Sequence, residues 1–188
     1  MRLIDVLTLR LHEFNDPVSV PYAILSHTWE GDEITFQDME DLAIARTKNS
    51  FSKIEATCRT ALDQGIHYVW VDTCCIDKSS SAELSEALNS MFRWYKNAIY
   101  CFAFLSDLPA GSQFRASDDV RKCRWFTRGW TLQELIAPTT VIFYDANWNF
   151  LGTKQELAQE IQAITDVDEG VLKGGMPLTA IPLAKRMS

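Results

Sequence analysis

Ala98-Ile99-Tyr100-Cys101-Phe102-Ala103-Phe104-Leu105 is an apolar run, and past a polar loop it feeds Trp130-Thr131-Leu132-Gln133-Glu134-Leu135-Ile136-Ala137-Pro138. The first segment reads as a strand buried on both faces. The second reads as the end of a Trp-rich helix over Lys122–Ala137, stopped by Pro138. A strand that feeds a helix places side chains near the carboxyl edge of a parallel sheet, where open α/β folds bind ligands. Glu134 is the carboxylate so placed, and Trp130 lies one turn before it on the same face.

The flanking sequence repeats the same alternation. Pro21-Tyr22-Ala23-Ile24-Leu25-Ser26 reads as a central strand, and the polar loop from Ser26 to Glu33 follows it. His67–Asp72 and Thr139–Asp145 are two further buried strands, residues 1–12 form a short edge strand, and Asn15-Asp16-Pro17 is a turn. A helix starts at Asn49-Ser50, carries Phe51, Ile54, Cys58, Ala61 and Leu62 at helical spacing, and is capped by Gly65. Ser81 caps a second helix, with Leu84, Leu88, Met91, Phe92 and Tyr95 facing inward. Thr35–Asp41 begins a short helix, and Gln155–Thr165 forms another with Leu157, Ile161 and Ile164 inward. Phe114–Asp119 reads as irregular, and the chain after Asp166 is Gly- and Pro-rich. Such alternation predicts an α/β fold: three layers, with a mainly parallel sheet between flanking helices, as in flavodoxin-like proteins.

A chain of 188 residues fits one domain, residues 1–188. The net charge of −7 argues against a nucleic-acid partner, which needs a basic face. Arg121, Lys122, Arg124 and Arg128 do gather before Trp130, either as a solvated stretch or as an anion contact beside Glu134. Five cysteines, an odd number, and an amino terminus without an apolar core predict a reduced, cytoplasmic protein. No apolar run is long enough for a membrane span. No cofactor is expected: neither a glycine-rich phosphate loop nor zinc-ligand spacing is present. Cys74-Cys75 with His27 suggests a thiol nucleophile, but nothing in the sequence fixes their pKa values.

Three blocks resemble the fungal heterokaryon incompatibility (HET) domain. They are Tyr22–Trp29 (YAILSHTW), Trp70–Lys78 (WVDTCCIDK) with Ser80–Ala87, and Arg124–Pro138 (RWFTRGWTLQELIAP). The resemblance covers residues 1 to about 145; the family usually continues past the position of Ser188, so the resemblance implies a short or truncated member. It implies a cell-death effector role in fungal non-self recognition, self-association for activity, and an NLR-type or other signalling partner. HET domains are in turn distantly similar to TIR domains, whose Trp-Cys-Leu-x-Glu-Leu segment resembles Trp130–Leu135. In enzymatic TIR domains that glutamate serves NAD cleavage, so the resemblance points to Glu134 as catalytic and to NAD or a related nucleotide as substrate. Arg128 stands where TIR domains commonly have Ser, so contacts to ribose or phosphate are expected to differ.

The residue types suit that chemistry. A carboxylate beside the ribose stabilises an oxocarbenium-like state, and an indole stacks on a base. Glu134 fits the first role and Trp29 or Trp130 the second, although for Trp130 core packing is the favoured expectation. Ser26, His27, Asp72 and Arg128 are the expected substrate contacts, His27 and Asp72 having structural roles open to them as well. The enzymatic reading expects Glu134 in an open crevice with Trp29 and His27. A filled edge instead favours a non-enzymatic module acting by self-association.

Overall fold

The described residues of the computed structural model are 1–15, 20–114 and 118–175. In chain order they form β1 (Arg2–Asp5), β2 (Leu11–Glu13), β3 (Ala23–His27), α1 (Leu42–Ala45), α2 (Phe51–Asp63), β4 (Tyr68–Trp70) and α3 (Ser81–Asn97). Then follow β5 (Tyr100–Phe104), α4 (Asp118–Lys122), α5 (Thr131–Ile136), β6 (Val141–Tyr144), β7 (Phe150–Thr153), α6 (Ala158–Thr165) and α7 (Glu169–Leu172).

All seven strands join one sheet in the order β2-β1-β4-β3-β5-β6-β7. The centre, β4-β3-β5-β6, is parallel, whereas β1 joins β4 and β7 joins β6 antiparallel. β3 is buried along its whole length because neighbours pair on both edges and layers cover both faces. The chain winds from β3 to β4 on one side, then returns past β3 to β5 on the other. Right-handed crossovers therefore send α2 to one face and α3 and α5 to the opposite one. α3 packs against α5, as this winding requires, and α2 packs on β4. The expected three-layer α/β architecture is present, and its winding reverses between β3 and β5, where open sheets form ligand crevices.

Several local expectations change. Residues 1–12 form a hairpin rather than one strand. Asp5 accepts hydrogen bonds from the Leu7 and Thr8 amides and the Thr8 hydroxyl, which turns the chain back toward β2. Asp145 turns β6 into β7 in the same manner, gathering the Asn147, Asn149 and Gly111 amides. The α3 cap is Ser80, whose hydroxyl accepts from the Glu83 amide. The buried face of α3 is Ala87, Ser90, Met91, Trp94 and Tyr95, and Leu88 and Phe92 are exposed. Trp94 and Tyr95 pack against Trp70 at 5.5 and 6.1 Å between ring centroids, which fixes this rotation. Leu62 is likewise exposed at the side of α2. A short helix, α7, forms beyond Asp166, and Asp16 and Pro17 lie outside the described residues.

The continuous helix expected over Lys122–Ala137 is broken. A 3-10 turn spans Arg124–Thr127, Arg128 is extended at φ −84° and ψ 140°, and α5 begins only at Thr131. The far end of α5 is held by Lys154, whose buried ammonium donates to the Leu135 and Pro138 carbonyls at 3.2 and 2.5 Å. Burial pushes the Lys154 pKa down to about 8.

Gly152 in β7 adopts φ +145°, and a Cβ there would lie 2.9 Å from Leu157 Cγ. Leu157 is buried and cannot swing aside. Gly152→Ala is expected to cost about 1–3 kcal/mol through overpacking and backbone strain, read as a lower midpoint in urea denaturation.

Candidate functional site

β3 ends at the point where the winding reverses, and its last two side chains leave on opposite faces. Ser26 turns toward α5. Its hydroxyl donates to Glu134 Oε2 at 2.5 Å and accepts from the Trp125 indole at 2.7 Å. Arg128 completes the cluster. It donates to the His27 carbonyl at 2.6 Å, and its two terminal nitrogens lie 3.3 and 3.4 Å from the two oxygens of Glu134. The extended backbone at Arg128 makes this fork reachable, since a continuous helix would carry the side chain elsewhere. Glu134 is only 3% exposed. Burial raises its pKa above the usual carboxylate range, opposed by the Arg128 charge and the Ser26 hydrogen bond.

On the other face His27 Nε2 lies 3.0 Å from Asp72 Oδ1. Trp29 donates its indole N–H to Asp72 Oδ2 at 2.8 Å, and the Lys78 ammonium sits 3.6 Å from the Trp29 ring centroid. Burial works to raise the Asp72 pKa, but the His27 hydrogen bond and charge, Lys78 and the Trp29 N–H hold it below the ordinary value. His27 Nδ1 is buried without a hydrogen-bond partner, 3.8 Å from Glu33 Oε1. That oxygen receives the buried Lys53 ammonium at 2.6 Å and the Glu30 amide at 2.8 Å.

Six of the seven expected residues therefore share one chain of contacts: Trp29, Asp72, His27, Arg128, Glu134 and Ser26. Trp130 stands apart as the residue preceding α5 and is 49% exposed, so it does not pack in the core. Sequence reasoning missed Trp125, Glu33, Lys53 and Lys78. Trp125 lies inside the block quoted for the family, and its neighbour Ser26 was the available clue. Lys53 gave none, because it falls among the apolar positions of α2.

Glu134 does not open onto a crevice: Arg128 covers it. A separate cleft of about 700 Å³ lies outside the carboxyl ends of β3, β5 and β6, lined in part by Glu30, Asp32, Phe104 and Trp148. None of the residues of the Glu134 cluster lines it. The cysteines are poorly suited to nucleophilic work. Contact with Cys75 and burial push the Cys74 thiol well above its ordinary pKa, opposite to what a thiolate needs. No helix among the described residues is long and apolar enough to cross a membrane.

A doubly wound α/β domain with buried ionisable side chains at its point of reversal is the class that this fold and site define. The sequence model of the family Heterokaryon incompatibility protein (HET) matches residues 22–118. Vegetative incompatibility protein HET-E-1 of Podospora anserina is 43% identical over 175 residues, covering 89% of this chain and 13% of that protein. The chain belongs to the heterokaryon incompatibility (HET) family, and it spans only about 13% of the length of this relative. No solved structure matches.

The raised pKa of Glu134 has a direct consequence for stability. The folded state holds the proton more tightly than the unfolded chain does, so stability is greatest below the unfolded pKa near 4.5 and falls as pH rises toward the folded value. Glu134→Gln is expected to remove that fall, whose slope is at most about 1.4 kcal/mol per pH unit. Urea denaturation of both proteins from acid to neutral pH measures it; parallel curves would show that Glu134 does not titrate abnormally.

Proposed function

We propose that this domain is the signalling module of an incompatibility protein acting in non-self-triggered cell death, and that it works by cleaving NAD or a related nucleotide at Glu134. The name of the relative in Podospora anserina supports the incompatibility role. The single observation supporting the chemistry is Glu134 itself: a carboxylate buried with a raised pKa, beside the carboxyl end of β3 and bridged by Arg128 to the strand that carries His27. Buried ion pairs are costly, and in other proteins well-packed apolar side chains often replace them without loss of stability. Ionisable groups with perturbed pKa values, gathered at the carboxyl end of a parallel sheet, support the assignment of a site there.

In this reading the covered arrangement is the resting one. Displacement of Arg128 during assembly opens the carboxylate to the ribose. The bond between nicotinamide and the anomeric carbon then breaks, and nicotinamide leaves neutral with the bonding pair. The anionic Glu134 hydrogen-bonds the ribose hydroxyls and offsets the positive charge developing on the ring. Water adds to the anomeric carbon and releases a proton.

Concentrated, assembled protein incubated with NAD is expected to release nicotinamide, with Glu134→Gln reducing the rate by about 100-fold or more. The rate rises with pH as Glu134 ionises. Absence of turnover in the assembled state, or turnover unaffected in Glu134→Gln, overturns the enzymatic reading.

A second reading rests on a different observation. Glu134 is buried beneath Arg128, while Trp29 and Trp130 are 50% and 49% exposed. These indoles suit a contact between copies or with a signalling partner, and the domain then acts without catalysis. Retained self-association and cell death in Glu134→Gln, with no nicotinamide released by either protein, is the outcome expected from this alternative.

A further inference from the structure

α3 and α5 cover one face of the sheet and leave an apolar strip between them in solvent. Trp94 and Glu83 turn one flank of α3 toward Trp70 and Arg2. The opposite flank, with Leu88 and Phe92 one turn apart, therefore lies toward α5. Met91 marks where the helices touch: the Gln133 amide nitrogen lies 4.0 Å from its sulfur. Each helix returns the chain between parallel strands, so the two run in the same direction. Trp130, one turn before Gln133, then stands level with Leu88, one turn before Met91. Leu88, Phe92 and Trp130 are 46%, 40% and 49% exposed. At these exposures they present roughly 300 Å² of largely apolar surface, the size at which a patch is often functional.

Charge and symmetry select what covers it. Leu84, Ser85, Leu88, Asn89 and Phe92 run along this flank and carry no charge. Glu86 projects from the far side of α3, and Glu83 is paired with Arg2. A chain of net charge −7 repels its own copies, so two of them approach best where carboxylates are missing. The strip is also self-complementary. With a two-fold axis midway between Leu88 and Phe92, two α3 helices meet antiparallel, and Leu88 of each copy packs on Phe92 of the other. The two Lys96 side chains then fall at opposite ends, about 18 Å apart along the helix axis. Doubled in this way and joined by a polar rim, the strip buries on the order of 1,000 Å², the low end of specific association.

We infer that this domain forms a weak two-fold dimer through the α3–α5 strip, with Leu88, Phe92 and Trp130 at its centre. Such a dimer presupposes the second reading above, contact between copies, and gives that contact one face.

Sedimentation equilibrium of the full chain from about 10 μM to 1 mM tests it, with the mass expected to rise from one copy to two at a Kd of about 100 μM. Leu88→Glu and Phe92→Lys each weaken association about tenfold or more, and Trp130→Ala about threefold or more. Leu62→Glu, an equal charge on exposed α2 across the sheet, leaves it unchanged. A mixture of Leu88→Glu and Phe92→Lys chains associates about fivefold or more tighter than either variant alone, because each new carboxylate meets the other chain's new ammonium. A single copy at 1 mM overturns the dimer and leaves the strip to a foreign partner. Association that survives both Leu88→Glu and Phe92→Lys overturns this face while contact between copies stands at another surface. A mixture no tighter than its components overturns the antiparallel pairing. Circular dichroism of each variant separates loss of the contact from loss of the fold.

Discussion

The guanidinium of Arg128 is what makes the interior at the end of β3 tenable. A carboxylate buried as deeply as Glu134 costs several kcal/mol unless donors answer it. Arg128 supplies two of them and also satisfies the His27 carbonyl, so one side chain holds a helix and a strand together. Ser26 and Trp125 complete the shell from the other side. The local chain gives up helical continuity to achieve this: the break between Thr127 and Thr131 puts Arg128 in an extended conformation, from which the fork can form. Lys154 then closes the opposite end of α5 by capping its carbonyls.

The central sheet was legible because its strands are nearly continuous apolar runs, which only a strand covered on both faces requires. The outer hairpins were less so: residues 1–12 read as one edge strand and β7 was not foreseen, because the turns are written in side chains. Asp5 and Asp145 reverse the chain by collecting amides, and neither sits in a Gly- or Pro-rich signature. The face of α3 was misjudged at Leu88 and Phe92 because spacing alone fits more than one stripe. Its rotation is decided by the fit of Trp94 and Tyr95 on Trp70, a tertiary contact. The candidate site followed the same division. The residues in the quoted blocks do meet, but their ion-pair partners Glu33 and Lys53 come from the loop after β3 and from α2 and become neighbours only in the fold.

Membership of the heterokaryon incompatibility family and the geometry bear on different levels. The family connects this chain to proteins named for incompatibility. The geometry shows two polar regions at one end of the sheet, a sealed cluster around Glu134 and an open cleft beside Trp148, with the Glu30–Glu33 loop running between that cleft and the His27 side chain on the face away from Glu134. Lys53 joins the cleft to the His27 side, since it pairs with Glu33 beside the imidazole and also lines the cleft.

The two rims of the sheet limit how copies of this domain meet. β2 is three residues long, and β7 pairs with β6 through a register shift beside Gly152. A short rim and an irregular one give little template for an incoming strand, the usual guard against lateral, amyloid-like growth. Where copies of such a domain do meet, the contact falls to helices and loops, where recognition depends on particular side chains and a single replacement can abolish it.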